Sequence, residues 1–237
     1  MTAQPTSTPV ITIDGPTASG KGTVARAVAK SLGFHLLDSG AIYRAFALAV
    51  INEKIDPLKI SNLADKAKAL SLEFHGELVR LDGVDVTREI RAEAVGMMAS
   101  TLSAIPEVRA AVLARQRAFA QAPGLVADGR DMGTVVFPDA TLKIYLTATA
   151  RTRAERRSGQ LVIAAASTAE SASASAIAGS FDTVIEKIRQ RDTQDKSRSV
   201  SPLKPANDAV VIDNAHHEKE ATIDAVLALW RLSVISA

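Results

Sequence analysis

The sequence predicts an α/β fold of three layers: a five-stranded parallel sheet between helices, an inserted antiparallel domain, and a helical lid. Three observations predict it. Short apolar strand-like runs alternate with helical patterns, the order that a parallel sheet requires. The first run, "VITID" at 10–14, leads through glycines directly into a helix. One stretch, "SLEFHGELVRLDGVDVT" at 71–87, breaks the rhythm with a period of two.

Each element follows in turn. Residues 1–9 are polar and contain prolines, which predicts a disordered tail. "VITID" is β-branched and apolar, as a buried strand should be. Gly15 and Pro16 end it. From Gly22 to Leu32 the pattern is helical, with Val24, Ala27, Val28 and Leu32 on one face. "FHLLD" (34–38) predicts a second strand and 40–52 a second helix. "LVAD" (125–128), "LKIYL" (142–146) and "AVVID" (209–213) complete five parallel strands. The "HGE" and "DG" turn signals within 71–87 predict antiparallel hairpins. Residues 60–104 are therefore read as an insertion, and 10–59 with 105–237 as the core domain. Pro106 opens a helix expected to run to 121, before Pro123. The Ala/Ser-rich stretch 158–180 is expected to be mobile and partly helical, either a surface insertion or part of a moving lid over 151–190.

Composition narrows the function classes. Hydrophobic residues make up 47% of the 237 positions, enough for a sizeable core. Cysteine is absent, which excludes disulfides, thiolate metal sites and cysteine nucleophiles, and suits a reducing compartment. The first ten residues lack the basic start and apolar centre of a signal peptide, and no apolar run reaches a membrane-spanning length. A cytoplasmic protein with no membrane partner is expected. The net charge of +2 argues against a globally basic nucleic-acid binder. The four histidines show no metal-ligand spacing, and Trp230 reads as packing.

The chemistry begins at Gly15-Pro16-Thr17-Ala18-Ser19-Gly20-Lys21, between strand and helix. That context is what a phosphate-binding loop needs. Glycines let backbone N–H groups turn toward phosphate oxygens, the helix N-terminus adds partial positive charge, and Lys21 adds a full one. The position after the lysine ordinarily carries a hydroxyl for Mg²⁺. Here it is Gly22, and the hydroxyl comes one place later at Thr23.

The "GKGT" form resembles that of nucleoside monophosphate kinases. "LLDSGAIYRAFAL" (36–48), "GRDMGTVVFPDA" (129–140) and "IRQRDTQDKSRSVSPLKPA" (188–206) resemble bacterial cytidylate kinase. So does the pairing of "TREIRAEAV" (87–95) with "IPEVRAAVLARQRAF" (105–119). The likeness runs from about 10 to 231, with several motifs in order. It implies a P-loop fold in which 60–104 binds the monophosphate. It implies direct transfer of the γ-phosphoryl of ATP to CMP or dCMP, with Mg²⁺ and no phosphoenzyme.

Such a reaction brings phosphate charges together. Two unit charges 4 Å apart repel by about 4 kcal/mol at an effective dielectric of 20. Arginines just past strand ends are the expected remedy, since guanidinium groups bind phosphate oxygens bidentately. Arg44, Arg130, Arg153, Arg156, Arg157, Arg191 and Arg198 stand at such places. The resemblance implies roles for them. Arg44 and Arg130 should hold the acceptor phosphate, with Arg198 on the same side. Lys21, Arg130 and Arg191 should act on the transferring group. Arg153 and Arg157 should meet ATP, along with the loop from Gly15 to Thr23. Ser100, Arg109 and Asp131 should read the cytosine, whose amine suits a carboxylate and whose acceptors suit arginine or serine. Asp195 and Ser39 suit sugar hydroxyls or the nearby phosphate. Mg²⁺ is expected through phosphates and water, with Thr23 and Asp128 as the side-chain candidates. A monomer acting on ATP and CMP or dCMP, without nucleic acid, is expected.

Two other readings stay open at this level. One is a kinase of a different small acceptor, such as shikimate or another nucleotide, against which the 60–104 insertion argues. The other is a nucleotide-dependent RNA-binding or switch protein. The arginines of 151–157 and 188–198 favour it. The lack of a base-stacking aromatic pair in a strand opposes it.

Overall fold

The computed structural model describes residues 8–166 and 181–235. In chain order the elements begin with β1 (Val10–Asp14), α1 (Lys21–Leu32), β2 (His35–Asp38), α2 (Ser39–Asn52) and α3 (Ile60–Ala69). There follow β3 (Leu72–His75), β4 (Leu78–Leu81), β5 (Val84–Asp85), α4 (Glu93–Leu102) and α5 (Pro106–Arg117). The chain continues through β6 (Leu125–Gly129), β7 (Leu142–Thr147), α6 (Ala150–Ala166), α7 (Phe181–Ser197), β8 (Val210–Asp213) and α8 (Lys219–Ile235). The parallel sheet has the order β2-β6-β1-β7-β8, and β3-β4-β5 form a separate antiparallel sheet. This is the predicted α/β class with five parallel strands. The chain divides into two compact units.

One unit holds 11–28 and residues from 130 onward. Here β1 pairs in parallel with β7, setting Ile11 opposite Leu142 and Asp14 opposite Tyr145, and β7 pairs with β8. Every residue of β1 is buried, which its run of Val and Ile permits. β8 is an edge strand of the sheet, and Val210 and Val211 stay exposed. Ala154 of α6 packs with Val184 and Ile188 of α7. α8 lies on β7 with Val226 and Trp230 buried, so Trp230 is a packing residue as expected.

The other unit holds the first ten positions and 29–129. β2 pairs with β6, placing Asp38 opposite Asp128. α2 is apolar almost all round, burying Ile42, Phe46 and Val50 among others, and packs against α4. α3 packs against α5. The ribbon β3-β4-β5 turns at Gly76 and at Asp82-Gly83, all three with positive φ, as the "HGE" and "DG" signals predict. α5 stops at Arg117, four residues before the expected end at 121. The chain there closes into tighter turns, Phe119 N–H to Gln116 and Ala120 N–H to Arg117, although no glycine or proline marks the stop. Within the 158–180 stretch, 158–166 continue α6 as helix, while 167–180 lie outside the described residues, as do 1–7 of the expected tail.

Candidate active site

The loop between β1 and α1 is shaped by its glycines. A Cβ on Gly15 would sit 2.1 Å from the Leu146 carbonyl oxygen, so only glycine passes there. Gly20 takes φ +91°, and Ala18 takes a left-handed φ of 59° without being glycine. The loop carbonyls are bonded from outside. Arg153 Nη1 donates to Thr17 O at 3.1 Å, and Arg156 Nη1 and Asn214 Nδ2 donate to Ser19 O at 3.3 and 2.9 Å. In a trans peptide the C=O and the following N–H point opposite ways. The N–H groups of Ala18 and Gly20 are therefore turned away from these donors, toward the inner side of the loop. Lys21, the first residue of α1, arches back to donate from Nζ to Pro16 O at 3.3 Å. A concave set of N–H groups, a helix N-terminus and an ammonium make an anion site.

Two carboxylates order the arginines around the loop. Asp195 is 1% exposed. It accepts from Arg130 Nε at 2.8 Å and from Arg198. Burial pushes its carboxyl up, but Arg130, Arg198 and Arg191 together hold it below the usual carboxylate range. Arg130 Nη2 also donates to Thr17 Oγ1 at 2.7 Å, tying this cluster to the loop. Asp192 binds both terminal nitrogens of Arg153. Arg157 instead hydrogen-bonds Gln160 of its own helix at 3.5 Å.

Asp14 ends β1 just before the loop and is 4% exposed. It accepts the N–H groups of Met132 and Gly133, each at 2.8 Å. Those residues open a short π-helical turn, Met132–Val136, that follows Arg130 and the buried Asp131. Burial raises the Asp14 pKa to about 6, the two N–H bonds opposing it; Asp131 adds to the rise, and Lys21 opposes it. Gly133 must be glycine, since a Cβ would meet Thr12 Oγ1 at 2.8 Å.

The unit of 29–129 carries a second set. Ser39 is buried in the first turn of α2, whose cap Asp38 accepts the Ala41 N–H at 3.0 Å. One turn on, Arg44 Nη1 donates to Ile90 O at 2.8 Å. A Cβ on Gly96 of α4 would come within 2.8 Å of the Arg44 guanidinium, so Gly96 leaves room for it. Arg109 of α5 is buried, donates to Ser103 O at 3.0 Å, and lies 5.8 Å from the Tyr43 ring centre. Ser103 in turn donates to Ser100 O at 3.0 Å, and Ser100 is buried beside it on α4.

Sequence reasoning thus selected most of the buried polar residues around the loop and α2. It did not select Asp14, Asp192 or Asn214. A carboxylate closing an otherwise apolar strand was the available signal for Asp14; Asp192 and Asn214 had none. Among the described residues no group of three or more His, Asp or Glu could hold a metal ion. Thr23 is exposed at the start of α1, and Asp128 is buried at the end of β6. Among the described residues no helix is long and apolar enough to cross a membrane.

A parallel α/β sheet whose first strand feeds a phosphate loop ringed by arginines defines a nucleotide-dependent phosphotransferase of the P-loop class. The sequence model of the family described as cytidylate kinase matches residues 11–232. A cytidylate kinase of Burkholderia pseudomallei (strain 1106a) is 51% identical, over 94% of this chain and 93% of its own. One from Bordetella bronchiseptica is 51% identical, over 94% and 95%. Among solved structures, TT1252 from Thermus thermophilus is 22% identical over 94% of this chain and 97% of its own, with a TM-score of 0.43. The chain belongs to the cytidylate kinase family. It is an enzyme, a nucleoside monophosphate kinase that transfers a phosphoryl group from ATP to CMP.

Proposed function

We propose a division of labour for that transfer. The loop from Gly15 to Thr23 takes the ATP phosphates, with Lys21 on the β/γ oxygens and Arg153 and Arg157 on the donor side. Arg44, Arg130 and Arg198 hold the acceptor phosphate. Ser100, Arg109 and Asp131 read the cytosine, and Ser39 and Asp195 meet the sugar or its phosphate. Lys21, Arg130 and Arg191 offset the charge that develops as the phosphoryl group moves in line from one oxygen to another. No general base is required, because the acceptor oxygen is already ionised near pH 7. The protein supplies positioning and electrostatic stabilisation.

The reading includes dCMP as an acceptor and residues 60–104 as the acceptor-binding domain, with a lid over 151–190. It also places the enzyme in the cytoplasm as a monomer that binds no nucleic acid. Mg²⁺ would be taken through phosphates and water, with Thr23 and Asp128 as the side-chain candidates. When bound, it supplies charge neutralisation at the phosphate oxygens.

The observation that supports this reading most is the loop whose outer carbonyls are bonded by Arg153, Arg156 and Asn214. Phosphoryl transfer from ATP across CMP, dCMP, UMP and AMP tests it, in wild type and in Asp131→Ala. Turnover of CMP and dCMP is expected in wild type, with little for AMP. Asp131→Ala should raise KM for CMP and relax the choice of base. Equal wild-type turnover of AMP and CMP would refute the assignment of Arg109 and Asp131 to the base.

A further inference from the structure

Asn214 stands where the chain leaves β8, and it is 5% exposed. Its backbone N–H donates to Thr147 O at 2.9 Å, so the end of β7 fixes its main chain. Its side chain has a partner at each end. Nδ2 donates to Ser19 O at 2.9 Å, and Oδ1 accepts from Arg156 Nη1 at 3.1 Å. Its backbone carbonyl accepts Arg156 Nη2 at 2.8 Å. Arg156 Nη1 also reaches Ser19 O, at 3.3 Å. The carboxamide has one workable orientation in this network. The end facing the Ser19 carbonyl must be the NH₂, and the end facing the guanidinium must be the oxygen.

The Ser19 carbonyl therefore meets two donors, one of them Asn214. The next N–H in that peptide belongs to Gly20, and it points the opposite way. Gly20 has φ +91°, and a Cβ there would stand 3.4 Å from Asn214 Nδ2. A glycine peptide of this kind turns over readily. If it did, it would present a carbonyl oxygen where an N–H faces the phosphates, converting attraction to repulsion.

We infer that Asn214 is a positioning residue of the donor site: with the Arg156 it orders, it holds the Ser19–Gly20 peptide in its phosphate-binding orientation. This rests on the reading of the loop as the ATP site. The effect belongs to ATP and not to CMP, because the group it fixes is a loop peptide.

The test compares Asn214→Asp and Asn214→Ala with Lys21→Ala, reading KM for ATP, KM for CMP and Tm. Asn214→Asp keeps the shape and still accepts from Arg156, but sets an oxygen against the Ser19 carbonyl. Asn214→Ala removes the donor without adding charge. Both are expected to raise KM for ATP about tenfold, the scale of one hydrogen bond that orients a charged-ligand site. KM for CMP should stay within about twofold, even where one mismatched buried hydrogen bond lowers Tm by several degrees. A rise in KM for ATP in the Asp variant alone would mean charge and not positioning, and would overturn the inference. Equal rises in both Michaelis constants, or none, would also overturn it. Unaltered ATP kinetics in Lys21→Ala would instead remove the reading of the loop on which the inference stands.

Discussion

Carboxylates order guanidinium groups in the unit of 11–28 and 130 onward, beside the backbone carbonyl acceptors that appear in both units. In the unit of 11–28 and 130 onward, Arg130 and Arg198 share Asp195, and Arg153 pairs with Asp192. In the unit of 29–129, Arg44 donates to the Ile90 carbonyl, and Arg109 to the Ser103 carbonyl. A neutral carbonyl orients a guanidinium while leaving its charge in force. A carboxylate orients it more firmly but cancels part of that charge. The first unit gathers several cations close to one loop, where the buried Asp195 and the part-buried Asp192 lie among them.

The largest expected effect lies in the loop itself. Lys21→Ala should lower kcat by about 10²–10³ with little loss of stability, since it removes one donor to transferring charge. Single-turnover kinetics with CMP and ATP check this, and an unchanged rate would contradict the role.

Next comes the carboxylate that separates the two units' designs. Asp195→Ala leaves Arg130 and Arg198 as adjacent cations, and should cost about 3 kcal/mol at pH 7 by urea denaturation. The Asp195 pKa is depressed in the folded state. Its contribution is therefore present above the unfolded value and lost as pH falls through the folded one. The difference between wild type and variant should shrink in acid.

Asp14 should behave in the opposite sense. Its pKa is raised from 3.8 to about 6, so the folded chain binds its proton more tightly than the unfolded chain does. Stability attributable to it is full below 3.8 and lost as pH rises to about 6, by about 3 kcal/mol at one pKa unit per 1.36 kcal/mol. Asp14→Asn should remove that slope. It should also carry a pH-independent cost of about 1–3 kcal/mol, because an amide cannot accept both N–H groups. Denaturation midpoints from pH 4 to 7 separate the two effects. A variant as pH-dependent as wild type would show that Asp14 is not the titrating group.

The sequence was most informative where local pattern and function coincide. "VITID", the spacing of Gly15 and Gly20, and the helix from Lys21 are all set by neighbours in the chain. Arg44, Arg109 and Arg130 are singled out by motifs. What escaped depends on distant partners. Asp14 meets Met132 across a separation of 118 residues, and Asn214 meets Ser19 across 195. Arg153, Arg156 and Arg157 lie close together on one helix, so periodicity alone does not single out the bonds that Arg153 and Arg156 make to the loop. The end of α5 was missed because Ala118 to Gln121 contain nothing that breaks a helix. Nothing in "AVVID" distinguishes the edge strand it forms from a central one.

Arg44 is assigned to the acceptor phosphate, apart from the cations of the donor loop, Lys21 and Arg153. Measuring both Michaelis constants in Arg44→Ala tests that assignment most directly. KM for CMP should rise by about tenfold or more, as expected for loss of a charge-assisted phosphate contact, while KM for ATP is unchanged. A rise in KM for ATP with KM for CMP unaltered would contradict it.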